Sequence, residues 1–592
     1  MQSAPLEAVR PSSLRAPALP AIAVLLLLCW LAFFNGLGDL GLTDKTEALF
    51  VEVAREMLER NDWVTPWWNG ERFFDYPVWG YWMVVGSFRL FGISEWAARL
   101  PSALAASAVV VGGFALMLAW ASPQEPARQR WGRGLLAAGV LATSPGWIGW
   151  GRVATTDMFL SSAITLALFS FLLAHHRREQ PLPARLGRIG FALFSAIAVL
   201  AKGPVGLLLP GLVIVVFLSL TRQWRHWWKP GALLAMALLF AGVCLPWYVA
   251  ATQANGSVFV DGFLGFSNIQ RFTNVLYRHP GPPWFYLPWV LLLLLPWSLF
   301  LPPALAALRF WRWSRWRRAA EDPALELPLF LLLWLVLIVA FFSAAATKLP
   351  GYILPALPAA SVLVALWWRP LTSPVPGPTA PGERPLAIWG SIDAVLLALL
   401  AVAAAIAPRW AATDPAHPGF ADALTASGLP LRLAVLLGAS SIALLLLLRR
   451  SAGRRWLWVP NLAGFLAILA LVIAPLAPLL DRERQLPIRQ LARTARQAAL
   501  AEEPLWVIGT MRYSVLFYSG ETAAFISGRE SLLHRLRNDP KDLGLTDASR
   551  SVRLMGDRHD LEDLRLPADR VQRLRRIGEQ ELWRVRREDL GS

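Results

Sequence analysis

The sequence is short of the features of an ordinary soluble protein. Only 16% of its 592 residues are charged, against about 25% in a typical globular domain. That excludes a soluble enzyme, a disordered regulator and a nucleic-acid-binding globule. There are 2 cysteines, Cys29 and Cys244, both inside apolar runs, which excludes a disulfide framework and a cysteine-based zinc cluster. No small-residue cleavage site follows the first apolar run, at about 18–36, and many more such runs come after it. That run is therefore expected to be a start-transfer span rather than a removable signal. No inverted repeat is visible, and the singular polar residues cluster at one membrane boundary rather than at span centres, which argues against a transporter.

In place of charge the chain carries apolar and aromatic mass. Hydrophobic residues make up 56%, with 30 Trp and 29 Phe, and the mean hydropathy is +0.45. Runs of roughly 20 apolar residues are long enough to cross a bilayer as helices. Thirteen are expected, near 18–36, 101–121, 134–151, 156–175, 188–202, 203–221, 231–250, 284–302, 327–346, 350–368, 386–407, 430–448 and 457–480. Much of the net charge of +17 falls in the short connections, where membrane orientation explains it better than a nucleic-acid partner. With a cytoplasmic N-terminus, inside connections collect clusters such as Arg222, Arg225 and Lys229, or Arg309, Arg312, Arg315, Arg317 and Arg318. Outside turns carry single cations, among them Arg152, Lys202 and Lys348.

The expected architecture is a polytopic α-helical membrane protein. A transmembrane domain covers 1–480, with outer loops at 37–100 and 251–283, and a small soluble α/β domain follows over 481–592 on the same outer side. The stretch 367–385 is a Pro-rich inside linker with no chemistry in it. In the tail, the run from Pro504 to Gly509 reads as a buried strand and Met511 to Tyr518 as helical. Residues 575–577 and 581–585 can pair as strands across a turn at Gly578, since apolar runs bounded by turn residues are strand signals.

An ionisable side chain at membrane depth is costly, so one that persists points to function. The singular ones all fall on the outward face: Asp44 and Glu47 after the first span, Asp75 in RFFDYPVWGYW, Asp157 in GRVATTDMFL, Lys202 in AKGP, Arg271 in GFSNIQRFTN and Lys348 in TKLPGY. Each also has a plainer reading. Asp157 fits a helix cap, and Lys202 and Lys348 fit anchors that reach for headgroups. Glu47, Glu52 and Arg55 fit the solvated face of an amphipathic helix lying on the membrane, above Leu49, Phe50, Val53 and Met57.

The run VAREMLERNDWVTPWWNGERFFDYPVWGYW, followed by RLPSALAA, resembles the first outer loop of the membrane-embedded glycosyltransferases of the C superfamily, the GT-C fold. The motifs TTDMFL, LAKGPVGLLLPG, LPWYVA, PWFYLPWVLLLLLPW and TKLPGYILP continue the resemblance in order across about 40–360. The branch it resembles contains lipid A aminoarabinose transferase and mannosyltransferase-like relatives. That resemblance implies residence in a bacterial inner membrane and a polyprenyl-phosphate-linked sugar as donor. It also implies transfer on the periplasmic side to a lipid, glycan or protein acceptor.

Position by position, the resemblance makes Asp44 the general base, with Glu47 as the alternative, and Asp157 the second acidic site. Asp75 stands where relatives often have Glu-Lys, a position linked to metal binding and lipid phosphate; here the pair is Asp75-Tyr76. Ser267-Asn268 stands where His-Asn is common, and Lys348 and Tyr352 match TKLP-x-Y with Gly351 in place of a frequent His. A divalent metal is thus left open, with Asp75 as its candidate ligand.

The expected chemistry suits these residues. A glycosyl phosphate already has a good leaving group, so fixed cations that neutralise the departing phosphate matter most. The acceptor hydroxyl needs a positioned carboxylate. Asp44 would be the base, Asp157 and Asp75 orienting carboxylates, and Lys202, Arg271 and Lys348 the phosphate clamp, with Asn268 and Tyr352 beside the substrate. Attack opposite the phosphate would invert the anomeric centre. An oligosaccharide ligase, a protein O-glycosyltransferase and a non-catalytic lipid-sugar transporter or scaffold are the competing readings.

Overall fold

The computed structural model describes residues 18–121, 125–263, 281–319, 321–368, 382–411 and 419–590. Among them, nine helices are long and apolar enough to span a bilayer, or ten if the pair Tyr286–Leu293 and Trp297–Leu308, bent by 114°, counts as one. Pro296 sits at that break, and proline is the usual cause of so sharp a kink. Ala18–Phe34 and Val205–Thr221 are shorter apolar helices. The segment expected as a span at 134–151 is instead two helices, Ala127–Ala142 and Pro145–Gly151. Pro145 has no N–H to continue the first helix and suits the first turn of the second.

Thr156–His176 and Pro350–Trp368 lie inside the bundle, whereas Pro230–Asn255 and Leu429–Leu448 turn most of their surface outward. Thr156–His176 and Pro181–Lys202 pack with almost no gap. A Cβ on Gly187 would lie 2.6 Å from the Ala174 amide and the Ser170 carbonyl, so only glycine allows this approach. A continuous helical path runs from Trp458 to Gln497. At about 1.5 Å per residue it is about 60 Å long, twice a hydrocarbon core, so its second half carries the chain out of the membrane.

The C-terminal part holds a five-stranded sheet in the order β4-β3-β5-β7-β6. Its strands are β3 (Leu505–Ile508), β4 (Ala523–Ile526), β5 (Ser551–Asp557), β6 (Val571–Ile577) and β7 (Gln580–Arg586). β3 runs parallel to β4 and β5, and β7 is antiparallel to β5 and β6. The strand expected over Pro504–Gly509 is present as Leu505–Ile508, the helix expected over Met511–Tyr518 as Ser514–Ser519, and the pairing across Gly578 as β6 with β7. β5 has no sequence signal because it is buried on both faces, so it lacks the alternation that marks a half-buried strand. It also contains Arg553, fully buried and paired with Glu503 and Glu521.

This domain sits on the first outer loop. The short hairpin β1 (Trp67–Trp68) and β2 (Glu71–Arg72) meets β4. The Asn69 side chain donates to the Ala523 carbonyl at 3.0 Å and accepts from its amide at 2.9 Å, and so stands in for a neighbouring strand. Trp68 stacks on Phe525 and meets Tyr513 edge-on. Tyr518 accepts from the Leu42 amide and donates to Glu95. Arg489 bridges Glu95 and Asp481 at 2.8 and 2.7 Å.

The amphipathic reading of the helix Thr46–Arg60 needs correction. Glu47, Glu52 and Arg55 are all buried, because the loop, the Glu95–Ala119 helix and the C-terminal domain cover the face expected to meet water. Glu47 and Arg99 form a bidentate pair at 2.7 and 2.9 Å. Arg99 also donates to the carbonyls of Leu37, Leu40 and Gly41. Burial alone would raise the Glu47 carboxyl. The charge and hydrogen bonds of Arg99, with the Thr43 and Ala154 amides, hold it below the ordinary glutamate range.

Arg99→Ala, which leaves Glu47 buried and unpaired, should destabilise the protein by about 3–5 kcal/mol, read as a large fall in Tm of the purified protein. Because the Glu47 carboxyl is depressed, its contribution is present at neutral pH and is lost as pH falls through that depressed value. Wild type should therefore lose Tm on acidification in that range, and Glu47→Gln should not show that loss.

Candidate functional site

Two helix ends build the centre of the site. Asp157 lies in the first turn of Thr156–His176, and Lys202 closes Pro181–Lys202. A carboxylate at a helix N-terminus and a cation at a C-terminus each match the local dipole. The hairpin brings the two together: Thr156 Oγ1 donates to the Ala201 carbonyl at 2.7 Å, and Lys202 Nζ pairs with Asp157 Oδ1. The expected cap is not formed. Thr155 is the N-cap and makes no side-chain capping bond, while Asp157 is engaged by Lys202.

The ammonium of Lys202 lies 4.9 Å from the Tyr352 ring centre and 5.6 Å from that of Tyr76, which favours a cation there. Both members of the pair keep some exposure, 12% for the Lys202 side chain and 19% for that of Asp157, so a substrate can reach them. Gly351 borders the pair. A Cβ there would come 2.9 Å from Asp157 Oδ2 and 3.0 Å from the Trp150 ring. A side chain at 351 would therefore displace Asp157 or Trp150.

Lys348 is buried, and its Nζ donates to the carbonyls of Ser343 and Ala345 at 2.8 and 2.5 Å. It thereby caps the Pro323–Ala344 helix, and desolvation holds its ammonium below the usual lysine range. The Tyr286 hydroxyl accepts from the Leu349 amide at 3.3 Å, tying the TKLPGY turn to the bent helix pair. Asp75 precedes the Trp79–Phe91 helix. The Tyr81 hydroxyl, buried in that helix, is pushed far above its usual range by burial and then by the Asp75 charge.

Asp44 is half-buried, and its Oδ1 accepts from the Ser514 amide at 2.9 Å. Ser514 opens a helix, so its N–H needs such a partner. The next residue, Lys45, holds φ at +69°, a conformation that is costly for a residue with a Cβ and that gathers at functional sites. Asp44 has no direct contact with Asp157. The link runs through Glu47, which accepts from the Thr43 amide and hydroxyl and, at 3.1 Å, from the Ala154 amide three residues before Asp157. With Arg99 added, the oxygens of Glu47 are fully engaged. Asn268 and Arg271 lie outside the described residues.

The structure thus gathers Asp157, Lys202, Tyr352 and Tyr76, sets Lys348 a few residues from Tyr352, and holds Asp44 under the C-terminal domain. Sequence reasoning missed Arg99, the Ser514 amide and Tyr286. Arg99 stands in the quoted RLPSALAA motif, whereas nothing in the tail marks Ser514. Among the described residues no group of three His, Cys, Asp or Glu side chains could hold a metal ion.

Residues 21–258 match the dolichyl-phosphate-mannose-protein mannosyltransferase family. Residues 498–592 match the C-terminal domain of cyanobacterial RgtA-type glycosyltransferases. The chain is 33% identical over 339 residues to the undecaprenyl phosphate-alpha-4-amino-4-deoxy-L-arabinose arabinosyl transferase of Pseudomonas aeruginosa strain UCBPP-PA14, covering 57% of each chain. It is 34% identical over 324 residues to the enzyme of that name from Aeromonas salmonicida strain A449, covering 54% of each. The chain thus spans little more than half the length of these relatives. The crystal structure of ArnT from Cupriavidus metallidurans bound to undecaprenyl phosphate superposes with a TM-score of 0.72 at 22% identity, over 96% of this chain and 97% of that one. This chain is a multi-pass membrane protein with the fold of ArnT along almost its whole length, and over somewhat more than half of its length it is similar in sequence to the aminoarabinose transferases.

Proposed function

We propose that the protein transfers a sugar from a polyprenyl-phosphate donor to an envelope lipid acceptor such as lipid A, at a periplasmic site in a bacterial inner membrane. The observation that carries this reading is the partly accessible Asp157–Lys202 pair between Tyr76 and Tyr352. It offers a cation to a phosphate and a carboxylate to a sugar or acceptor hydroxyl. The arginine-rich connections on the opposite face support the orientation, and with it a periplasmic C-terminal domain.

In this mechanism the donor phosphate meets Lys202, with the third N–H of Lys348 nearby, and Arg271 is the further cation expected there. Asp157 and Asp75 orient sugar and acceptor. Asp44, held by the Ser514 amide through one oxygen, takes the acceptor proton with the other. The acceptor oxygen forms a bond to the anomeric carbon, the bond from that carbon to the phosphate oxygen breaks, and polyprenyl phosphate leaves with the electron pair. The configuration inverts. Asp44 suits the base better than Glu47, whose oxygens are occupied. The match to a protein mannosyltransferase family over 21–258 favours a polypeptide acceptor as the second reading.

Asp44→Asn should lower turnover by about 10²–10⁴-fold with donor binding and Tm little changed, since Asn can still accept from the Ser514 amide. Assay of the purified protein with labelled undecaprenyl-phosphate sugars and lipid A checks this, and normal turnover would remove Asp44 as base. Lys202→Met should cost about 10²–10³-fold through lost phosphate stabilisation, measured in the same assay. Lipid moved without cleavage would mean a transporter. Glycan found on envelope proteins rather than on lipids in a strain lacking and then regaining the gene would favour the second reading.

A further inference from the structure

Two segments rich in tryptophan and arginine share the membrane face opposite the Asp157–Lys202 pair. One, 222–229, follows the Val205–Thr221 helix, and the other, 309–318, precedes Pro323–Ala344. The 22 residues of Pro323–Ala344 put about 33 Å between the second segment and Lys348.

Tertiary contacts tie both segments to the same helices. The Trp227 indole N–H donates to His175 Nδ1 at 2.9 Å, so His175 Nε2 carries the proton and donates to Glu326 at 3.0 Å. This chain ties 222–229 to the end of Thr156–His176 and to the start of Pro323–Ala344. The helix Trp313–Arg318 packs against Val205–Thr221, the helix that the first segment follows.

The cations outnumber any local anion. The first segment holds Arg222, Arg225 and Lys229, and the second holds five arginines. Among the described residues none of them forms an ion pair with a carboxylate. Hydrogen bonds fix the second segment: Arg315 donates to the Leu308 carbonyl at 2.8 Å and the Trp316 indole to the Phe310 carbonyl at 2.7 Å. Burial, and then the charges of Arg309, Arg312 and Arg318, lower the Arg315 guanidinium. Beside these cations stand exposed aromatics, Trp228 at 72%, Trp311 at 63% and Trp313 at 54%.

Topogenic charge alone requires neither a fixed shape nor exposed indoles. A soluble polyanion would use the guanidinium groups but leave the tryptophans in water. A phospholipid uses both, since guanidinium pairs bidentately with phosphate and Trp settles at the headgroup level. Juxtamembrane clusters of this size attract anionic lipid. We propose that 222–229 and 309–318 form one binding site for an anionic phospholipid of the leaflet opposite the candidate active site. Its phosphate lies among the arginines, and its glycerol and upper chains lie against Trp311 and Trp313.

The test uses the full chain purified from an equimolar mixture of phosphatidylglycerol and phosphatidylcholine. Lipid mass spectrometry should find phosphatidylglycerol retained about tenfold over phosphatidylcholine. Hydrogen exchange in nanodiscs should find protection by phosphatidylglycerol in peptides covering 222–229 and 309–318. Trp311→Ala/Trp313→Ala, which keeps every charge and hence the orientation signal, and Arg312→Gln/Arg315→Gln should each lose most of the enrichment. Equal retention of the two lipids by wild type, protection confined to other segments, or full enrichment in the tryptophan variant would each overturn the proposal. Neither readout depends on transferase activity, so the proposal and the functional reading stand or fall separately.

Discussion

The ion pair between Glu47 and Arg99 is the interaction on which the outer half of the molecule depends. A buried pair gains stability only when its remaining donors and acceptors are satisfied, and here backbone satisfies them. Arg99 takes the carbonyls of Leu37, Leu40 and Gly41, and Glu47 takes the amides of Thr43 and Ala154. The pair therefore works as a staple. It folds the loop after the first span onto the turn before Asp157, and it fixes Asp44 by fixing its neighbours.

On that base the C-terminal domain becomes part of the site rather than an appendage. The long helix from Trp458 delivers it to the outer loop, where Asn69 completes its edge strand, Arg489 and Tyr518 meet Glu95, and the Ser514 amide reaches Asp44. Asp44, the base in the proposed mechanism, is thus held by an amide of the C-terminal domain. Two membrane helix ends supply the other half, Asp157 and Lys202, held together where Thr156 donates to the Ala201 carbonyl.

Among the described residues nine or ten of the thirteen expected spans are helices long and apolar enough to cross a bilayer, and these were legible because an apolar run of that length is a local property. So was the β6–β7 hairpin, with its turn residue between two strand-like runs. The polar face of Thr46–Arg60 is not legible as buried, because Glu47, Glu52 and Arg55 look the same in sequence whether water or another domain covers them. Arg553 hid β5 for the same reason: a buried charge with two carboxylate partners reads as surface until those partners are known.

Composition and the order of motifs by themselves determined the membrane character, the helical architecture and the small sheet domain in the tail. These rest on transfer free energies and on charge in short connections, which each segment carries alone. Only the tertiary structure decided which groups meet: Lys202 with Asp157 across 45 residues, Arg99 with Glu47 across 52, and Ser514 with Asp44 across 470. Such pairings are set by which helix ends close on one another and which domain lands on which loop, and no local pattern encodes that.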